Sequence, residues 1–384
     1  MKVVSLFSGI GGIEYGLAKS GFDSEIFCEI DPLARVILAK RFPGAKIFSD
    51  VTQMEKIPSC DILAAGFPCQ DLSQAGAKKG ISGEKSGLVK KLLSLVESLS
   101  EKTRPKKILI ENVPYMLRLD RGRAMQFLTS ELVRLGYRWA YRIVDARCFG
   151  LPQRRARVVL LASRDVDPAS ILFADDYASP DLDGKPSILD DAQAYGFYWT
   201  EGKRGLGWVR EGVPPIKCGS TIGIASPPAV WIPARDFFGT IDIRDAERLQ
   251  GFPADWTDYS SESSDSRQSY RWRLVGNAVS TKLSEWVGKR LASPSAIAID
   301  AAPLDATKAW PDAAYGSAGG SYSARVGRWA SRTKQKELSG FLKYNLKPLS
   351  QRATEGFFSR ACESTNIVYA HEFIDSLNKH RNSF

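Results

Sequence analysis

Histidine is almost missing from this chain of 384 residues, which contains only His371 and His380. The six cysteines, Cys28, Cys60, Cys69, Cys148, Cys218 and Cys362, fall at spacings unlike those of metal ligands. A zinc site is therefore not expected, nor any other metal. No apolar run reaches the length of a membrane span, and Met1 leads straight into a strand and a glycine turn rather than a secretory hydrophobic region. No second cysteine stands close to Cys69, which argues against a thiol-based redox protein. The glycine-rich opening lacks the G-x-G-x-x-G spacing, so the dinucleotide fingerprint is not matched. Paired disulfides would compromise a reactive thiol, so a reduced, cytoplasmic setting is expected.

What is present points to a polyanion. The formal net charge is +10, and the length suits one large core plus a smaller domain. Lys2 to Phe7 reads as a strand, Ser8 to Gly12 as a tight turn, and Ile13 to Ser20 as a helix. Such a strand, turn and helix start allows close backbone approach to a nucleotide-like ligand. A second apolar strand, Glu25 to Cys28, ends in Glu29, where an acid can accept hydrogen bonds from ribose hydroxyls. Asp61 to Ala65 reads as a short buried strand delivering Gly66-Phe67-Pro68-Cys69-Gln70. A cysteine held by proline at a strand exit can act as a nucleophile once a positive charge or helix N-terminus favours its thiolate; alone, it would more often be an inert buried thiol. Lys107 to Ile110 delivers Glu111-Asn112-Val113, and Gln153-Arg154-Arg155-Ala156-Arg157 enters the run Val158 to Leu161. Strand alternation predicts Arg155 and Arg157 on one face. Val275 to Ser280 reads as a turn followed by a helical pattern to Leu291.

Together these segments resemble the cytosine-5 DNA methyltransferases. Phe7 to Gly12, Glu29, Asp50, Pro68-Cys69-Gln70, Glu111-Asn112-Val113, Gln153 to Arg157, Arg244 to Pro253 and Gly276-Asn277 match that family's motifs in its order. The resemblance covers residues 1 to about 291. It implies a doubly wound, mostly parallel α/β sheet of the Rossmann-like methyltransferase type, with a smaller irregular target-recognition domain. It also implies that Cys69 attacks C6 of a flipped-out cytosine in duplex DNA, while Glu111 hydrogen-bonds N3 and Arg155 and Arg157 orient Glu111 and polarise O2. S-adenosyl-L-methionine is the implied cofactor. Phe7, Gly9, Ile10, Gly11 and Gly12 would line its methionine part, Glu29 its ribose and Asp50 its adenine amino group. Phe67 and Pro68 would border adenine and sulfonium, Asn277 would close the pocket, and Ile30 and Leu88 complete the cofactor set.

The implied domains are residues 1–163 plus 276–291 for catalysis and 164–275 for target recognition. The helix from Gly276 to Leu291 would pack back against the N-terminal strand. The recognition region, where the family reads base edges, holds Trp199, Trp208, Trp231 and the charges Lys203, Arg204, Arg210 and Lys217, which serve either base edges or as phosphate contacts and solvated surface; Ser220-Thr221-Ile222 resembles the family's Thr-Leu pair with Ile in place of Leu. Gly76, Gly80, Gly83 and Gly87, with Lys78, Lys79 and Lys85, suit a loop that closes over DNA. Residues 292–323, rich in Ala, Ser, Gly and Pro, read as a linker. Residues 324–384 read as a basic extension that either wraps the catalytic domain or adds phosphate contacts. From residue 321 onward there are eleven Lys and Arg against five Asp and Glu. Two readings compete with DNA methylation: an RNA-directed methyltransferase with the same motifs, and a non-catalytic DNA-binding regulator, which would need neither Cys69 nor Glu111. A monomer suffices for one flipped base, and a cognate restriction endonuclease is the expected partner at the level of a system.

Overall fold

The computed structural model describes residues 1–67, 87–180, 193–203, 205–219, 225–259, 265–305 and 308–384. The chain forms two compact units, each assembled from three segments: 1–145, 156–179 and 279–332 in the first, and 146–155, 180–278 and 333–384 in the second.

Unit 1 is built on a ten-stranded sheet of order β12-β14-β13-β6-β7-β5-β4-β1-β2-β3. Numbered along the chain, its strands are β1 (Lys2–Leu6), β2 (Asp23–Cys28), β3 (Lys46–Phe48), β4 (Ile62–Ala65), β5 (Lys107–Asn112), β6 (Arg138–Asp145), β7 (Ala156–Ser163), β12 (Ala301–Pro303), β13 (Ala313–Ser317) and β14 (Gly320–Ala324). The run from β5 to β3 is parallel, and β7 and β13 run antiparallel to their neighbours. β4 and β5 are buried along their whole length, as expected of strands covered on both faces. The helices of this unit are α1 (Gly12–Ala18), α2 (Pro32–Arg41), α3 (Leu88–Glu97), α4 (Arg123–Arg134), α5 (Pro168–Leu172) and, farther along the chain, α8 (Thr281–Ala292). On α3 the buried residues Val89, Leu92, Leu93 and Val96 recur at helical spacing and face the core under the sheet. The chain passes from β1 outward to β2 and β3, then returns to β4 on the other side of β1. That reversal makes the crevice at the carboxyl ends of β1 and β4 the topological switch point, where open α/β sheets bind ligands.

Unit 2 carries the sheet β15-β11-β10-β8-β9, with β8 (Tyr195–Phe197), β9 (Val209–Arg210), β10 (Ala229–Ile232), β11 (Phe237–Thr240) and β15 (Lys347–Pro348). Its helices are α6 (Ile243–Leu249), α7 (Asp265–Asn277), α9 (Leu338–Phe341), α10 (Gln351–Cys362) and α11 (His371–Arg381). Phe197, Trp208, Trp231, Phe238, Phe357 and Phe373 pack into one buried cluster over this sheet.

Several boundaries differ from the sequence reading. Residues 292–323 are no linker, because β12, β13 and most of β14 lie there and extend the main sheet through β6. Small residues suffice for that ladder because Tyr315 and Tyr322 pair across it with stacked rings, and Trp310 packs on Trp139 and Tyr141. Residues 164–179 belong to unit 1, where the buried Arg142 donates to the carbonyls of Leu172 and Asp175. The stretch 324–384 is not one extension: it joins unit 1 as far as Arg332 and unit 2 beyond. The helix expected over residues 276–291 is interrupted, since α7 ends at Asn277 and α8 starts at Thr281. α8 does return to the N-terminal elements, packing on α1, and a Cβ on Gly16 would stand 2.4 Å from the Thr281 carbonyl oxygen. Trp208 and Trp231 are buried in the core of unit 2, with the Trp231 indole donating to Ser376 Oγ at 2.8 Å.

Candidate active site

At the end of β1 the backbone turns through Phe7 (φ 58°), Gly9 (φ 55°) and Gly11 (φ 83°), all left-handed. Gly11 is demanded twice, by its φ and because a Cβ there would meet the Phe42 ring at 2.4 Å. At Gly9 none of the described residues lies within 4 Å of where a Cβ would stand. Gly9 N donates to Glu29 Oε2 at 2.7 Å, and Asp31 N donates to Glu29 Oε1 at 2.8 Å, which ties the glycine turn to the end of β2. Burial raises the Glu29 carboxyl above its ordinary value, and those backbone donors pull the other way. Ile10 is buried, Gly12 opens α1, and Ile30 is 73% exposed beside Glu29. Asp50 follows β3 and caps a short 3-10 turn, accepting from Thr52 N at 2.8 Å. Leu88 opens α3 and packs against the main core.

The ends of β4 and β5 are joined more tightly. Phe67 is buried, and its ring meets Phe7 edge-on at 6.2 Å. Asn112 Nδ2 donates to the Phe67 carbonyl at 3.0 Å, and Asn112 Oδ1 accepts from Val113 N at 2.9 Å. Asn112 therefore fixes the last residue before Pro68-Cys69-Gln70, which lie outside the described residues, as do residues 71–86 and Ser220-Thr221-Ile222. Next to Asn112, Glu111 pairs with Arg157 (Oε1 to Nε, 3.0 Å), and both side chains are about nine-tenths buried. Arg155 stands one residue before the strand of Arg157. β7 begins at Ala156, and Arg155 belongs to unit 2, where it donates to the carbonyls of Ile216 (3.3 Å), Gly276 (3.1 Å) and Ala278 (2.8 Å). Asn277, exposed at the end of α7, is in unit 2 as well.

Two features escaped the sequence reading. Glu14, on α1 behind the glycine turn, is fully buried and accepts from Ser5 Oγ; burial pushes its carboxyl up to about 7. Its signal was an acid among the apolar positions of α1. The Asn112 latch had none beyond its place beside Glu111. The cysteines Cys28 and Cys60 are inert by comparison, since burial pushes each thiol up to about 12.

The family model for C-5 cytosine-specific DNA methylases matches residues 1–194. Type II methyltransferase M2.BsuMI of Bacillus subtilis is 60% identical over 380 residues, spanning 99% of this chain and 98% of that protein. The chain belongs to the C-5 cytosine-specific DNA methylase family. It is a DNA (cytosine-5-)-methyltransferase. Type II methyltransferase M.DsaV of Dactylococcopsis salina is 27% identical over 315 residues, covering 76% of this chain and 86% of that one. The crystal structure of Schizosaccharomyces pombe Dnmt2 methyltransferase matches at TM-score 0.56 and 18% identity, covering 76% of this chain and 98% of that chain, a likeness of fold.

The methyltransferase motifs of unit 2 are bound to one another. Gln153 donates to the Leu249 carbonyl at 2.9 Å and accepts from Ile216 N at 3.1 Å, while Gln250 donates to the Val275 carbonyl at 2.9 Å. In the segment Arg244 to Pro253 the two buried acids serve backbone. Asp245 accepts from Lys343 N (3.1 Å) and Tyr344 N (3.0 Å), and Glu247 from Trp256 N (3.2 Å) and Thr257 N (2.8 Å).

Proposed function

We propose that Cys69, Glu111 and Arg157 carry out the methylation of cytosine C5 in duplex DNA, with Arg155 holding the segment Gly276–Ala278 in place. The observation that carries this reading is the buried Glu111–Arg157 pair beside Asn112, whose amide grips the carbonyl immediately before Pro68-Cys69. Cytosine C5 is a poor nucleophile. The Cys69 thiolate adds to C6, Glu111 in its protonated form donates a hydrogen bond to N3, and the electron pair displaced from the C5–C6 double bond collects at C5. Arg157 keeps Glu111 in position and compensates the charge that develops. S-adenosyl-L-methionine, when bound, supplies an electrophilic methyl group on a sulfonium. Loss of the C5 proton after methylation restores the double bond and expels Cys69. The target base must leave the stack, at a cost of a few kcal/mol.

The residues fit such a cofactor. Gly9 offers a backbone face that no described residue covers, Glu29 retains lone pairs beyond the two N–H groups it accepts, and Ile30 presents an exposed apolar side chain beside it. Phe7, Ile10, Gly11, Gly12, Asp50, Phe67, Pro68, Leu88 and Asn277 complete the proposed contacts. At the system level the reading extends to a restriction endonuclease that shares the recognised sequence, with the methyltransferase acting as a monomer.

The test is to incubate the protein with S-adenosyl-L-methionine and unmethylated genomic DNA, then map 5-methylcytosine at single-base resolution. Marks in one short recurring sequence, absent with Cys69→Ala, are expected; marks unaffected by that substitution would remove Cys69 from the mechanism. Fluorine at C5 of the target leaves no proton to lose. Such DNA should form a denaturant-resistant adduct with the wild type and none with Cys69→Ala.

A further inference from the structure

The 3-10 segment Pro114–Gly122 leaves the carboxyl end of β5 directly after Glu111-Asn112-Val113. It departs from ordinary backbone at Asp120 (φ 50°, ψ 41°) and Arg121 (φ 57°, ψ 35°), two consecutive left-handed residues with a Cβ, followed by Gly122 at φ 86°. Residues other than glycine avoid that region, and such strain persists only where the surroundings over-determine it. Here they do. Arg123 pairs with Asp120 and donates Nε to its carbonyl at 3.2 Å, and a Cβ on Gly122 would stand 2.6 Å from the Trp310 ring.

This braced turn presents an unusual surface. Tyr115 is 64% exposed, a large aromatic ring in solvent four residues from a buried catalytic acid. Arg118 and Arg121 are exposed, and among the described residues no carboxylate engages either one. Arg123 is neutralised by Asp120, so the uncompensated charge of the turn sits on Arg118 and Arg121. Residues three apart on a 3-10 helix eclipse one another at a rise of about 6 Å, so Tyr115 and Arg118 stand on one face at a spacing comparable to successive phosphates of one strand.

We propose that Tyr115, Arg118 and Arg121 form a clamp on the DNA backbone flanking the target cytosine. The two guanidinium groups pair with phosphates, and the Tyr115 hydroxyl donates to a third. The clamp rests on the reading of the site as a DNA cytosine methyltransferase. Phosphate contacts of this kind position the duplex without reading its sequence, and each neutralised phosphate contributes about 0.9 to the slope of log Kobs against log salt. Bracing matters because a positioning contact on a floppy turn would lose ordering entropy with every duplex bound.

The test compares the wild type with Arg118→Ala/Arg121→Ala and with Arg121→Gly by salt titration of binding to target-containing duplex DNA. The double variant should bind with a slope shallower by about 1.8, and Arg121→Gly by about 0.9. The KM for DNA should rise about tenfold or more in the double variant, while S-adenosyl-L-methionine binding is unchanged. Glycine accepts the left-handed conformation, so Arg121→Gly should lose DNA affinity without any fall in Tm, a combination that a purely structural arginine would not give. A wild type that binds and methylates DNA while both variants keep its slope overturns the clamp alone. A wild type that binds no DNA overturns the clamp together with the reading beneath it.

Discussion

Glu14 is a carboxyl buried completely behind the glycine turn. Its carboxyl moves from an ordinary 4.5 to about 7, first through burial. Between those values the folded protein holds a proton that the unfolded chain has released. Stability therefore falls as pH rises through that window and levels off above it, by about 3 kcal/mol in all. Glu14→Gln keeps the shape without the titration, so denaturant melts should show it gaining on the wild type between pH 5 and pH 8. A constant gap across those pH values would mean that Glu14 is already ionised in the folded protein. Asn112 acts on chemistry instead. Asn112→Ala removes a buried hydrogen bond to the Phe67 carbonyl, worth about 1–3 kcal/mol. It should lower kcat about tenfold or more by loosening the approach to Cys69, and weaken cofactor binding less, because the Phe67 ring still packs on Phe7. Equal losses in both would place the latch in cofactor binding. The partnership of Glu111 with Arg157 was legible in the sequence, since motif order supplied the pairing. For Arg155 the alternation read from the sequence extends one residue beyond the strand end, where the backbone already serves unit 2.

Elements with continuous apolar runs were readable: β1, β2, β4, β5 and β7 all lie where hydrophobicity placed them, within a residue or two. Their burial is a local property of sequence. The strands β12 to β14 were not readable, because Ala, Ser and Gly carry little strand preference and the ladder exists only through pairing with β6. The break between α7 and α8 falls inside the turn read at Val275 to Ser280, where a glycine and an asparagine interrupt the helical period. Packing of α8 on α1 depends on the missing side chain of Gly16. Gly16→Ala would press a methyl group onto the Thr281 carbonyl and the Ser284 side chain. A loss of about 1–3 kcal/mol is expected in urea unfolding followed by near-UV signals of unit 1. Unchanged stability would mean that α8 can slide away without cost.

Over the whole molecule, the basic stretch from residue 321 onward had two readings, a wrap on the catalytic domain or added phosphate contacts. Beyond Arg332 its packing is hydrophobic and lies within unit 2: Phe357, Phe373 and Leu377 are buried against Phe197, Trp231 and Phe238. Cutting after Arg332 should leave those rings bare and give insoluble or protease-sensitive protein, measured as soluble yield and trypsin resistance. A soluble, methylating truncation would show that this packing is dispensable. The three-segment build of each unit has a further meaning for anyone seeking to recombine such enzymes. Exchanging unit 2 for that of a relative cannot be done with a single cassette, because its parts are interleaved with unit 1 across five junctions along the chain. A ribosome making this protein meets the same interleaving. Neither unit has all of its pieces until residue 332 has emerged, so the first strands must wait, partly paired, for most of the message to be read.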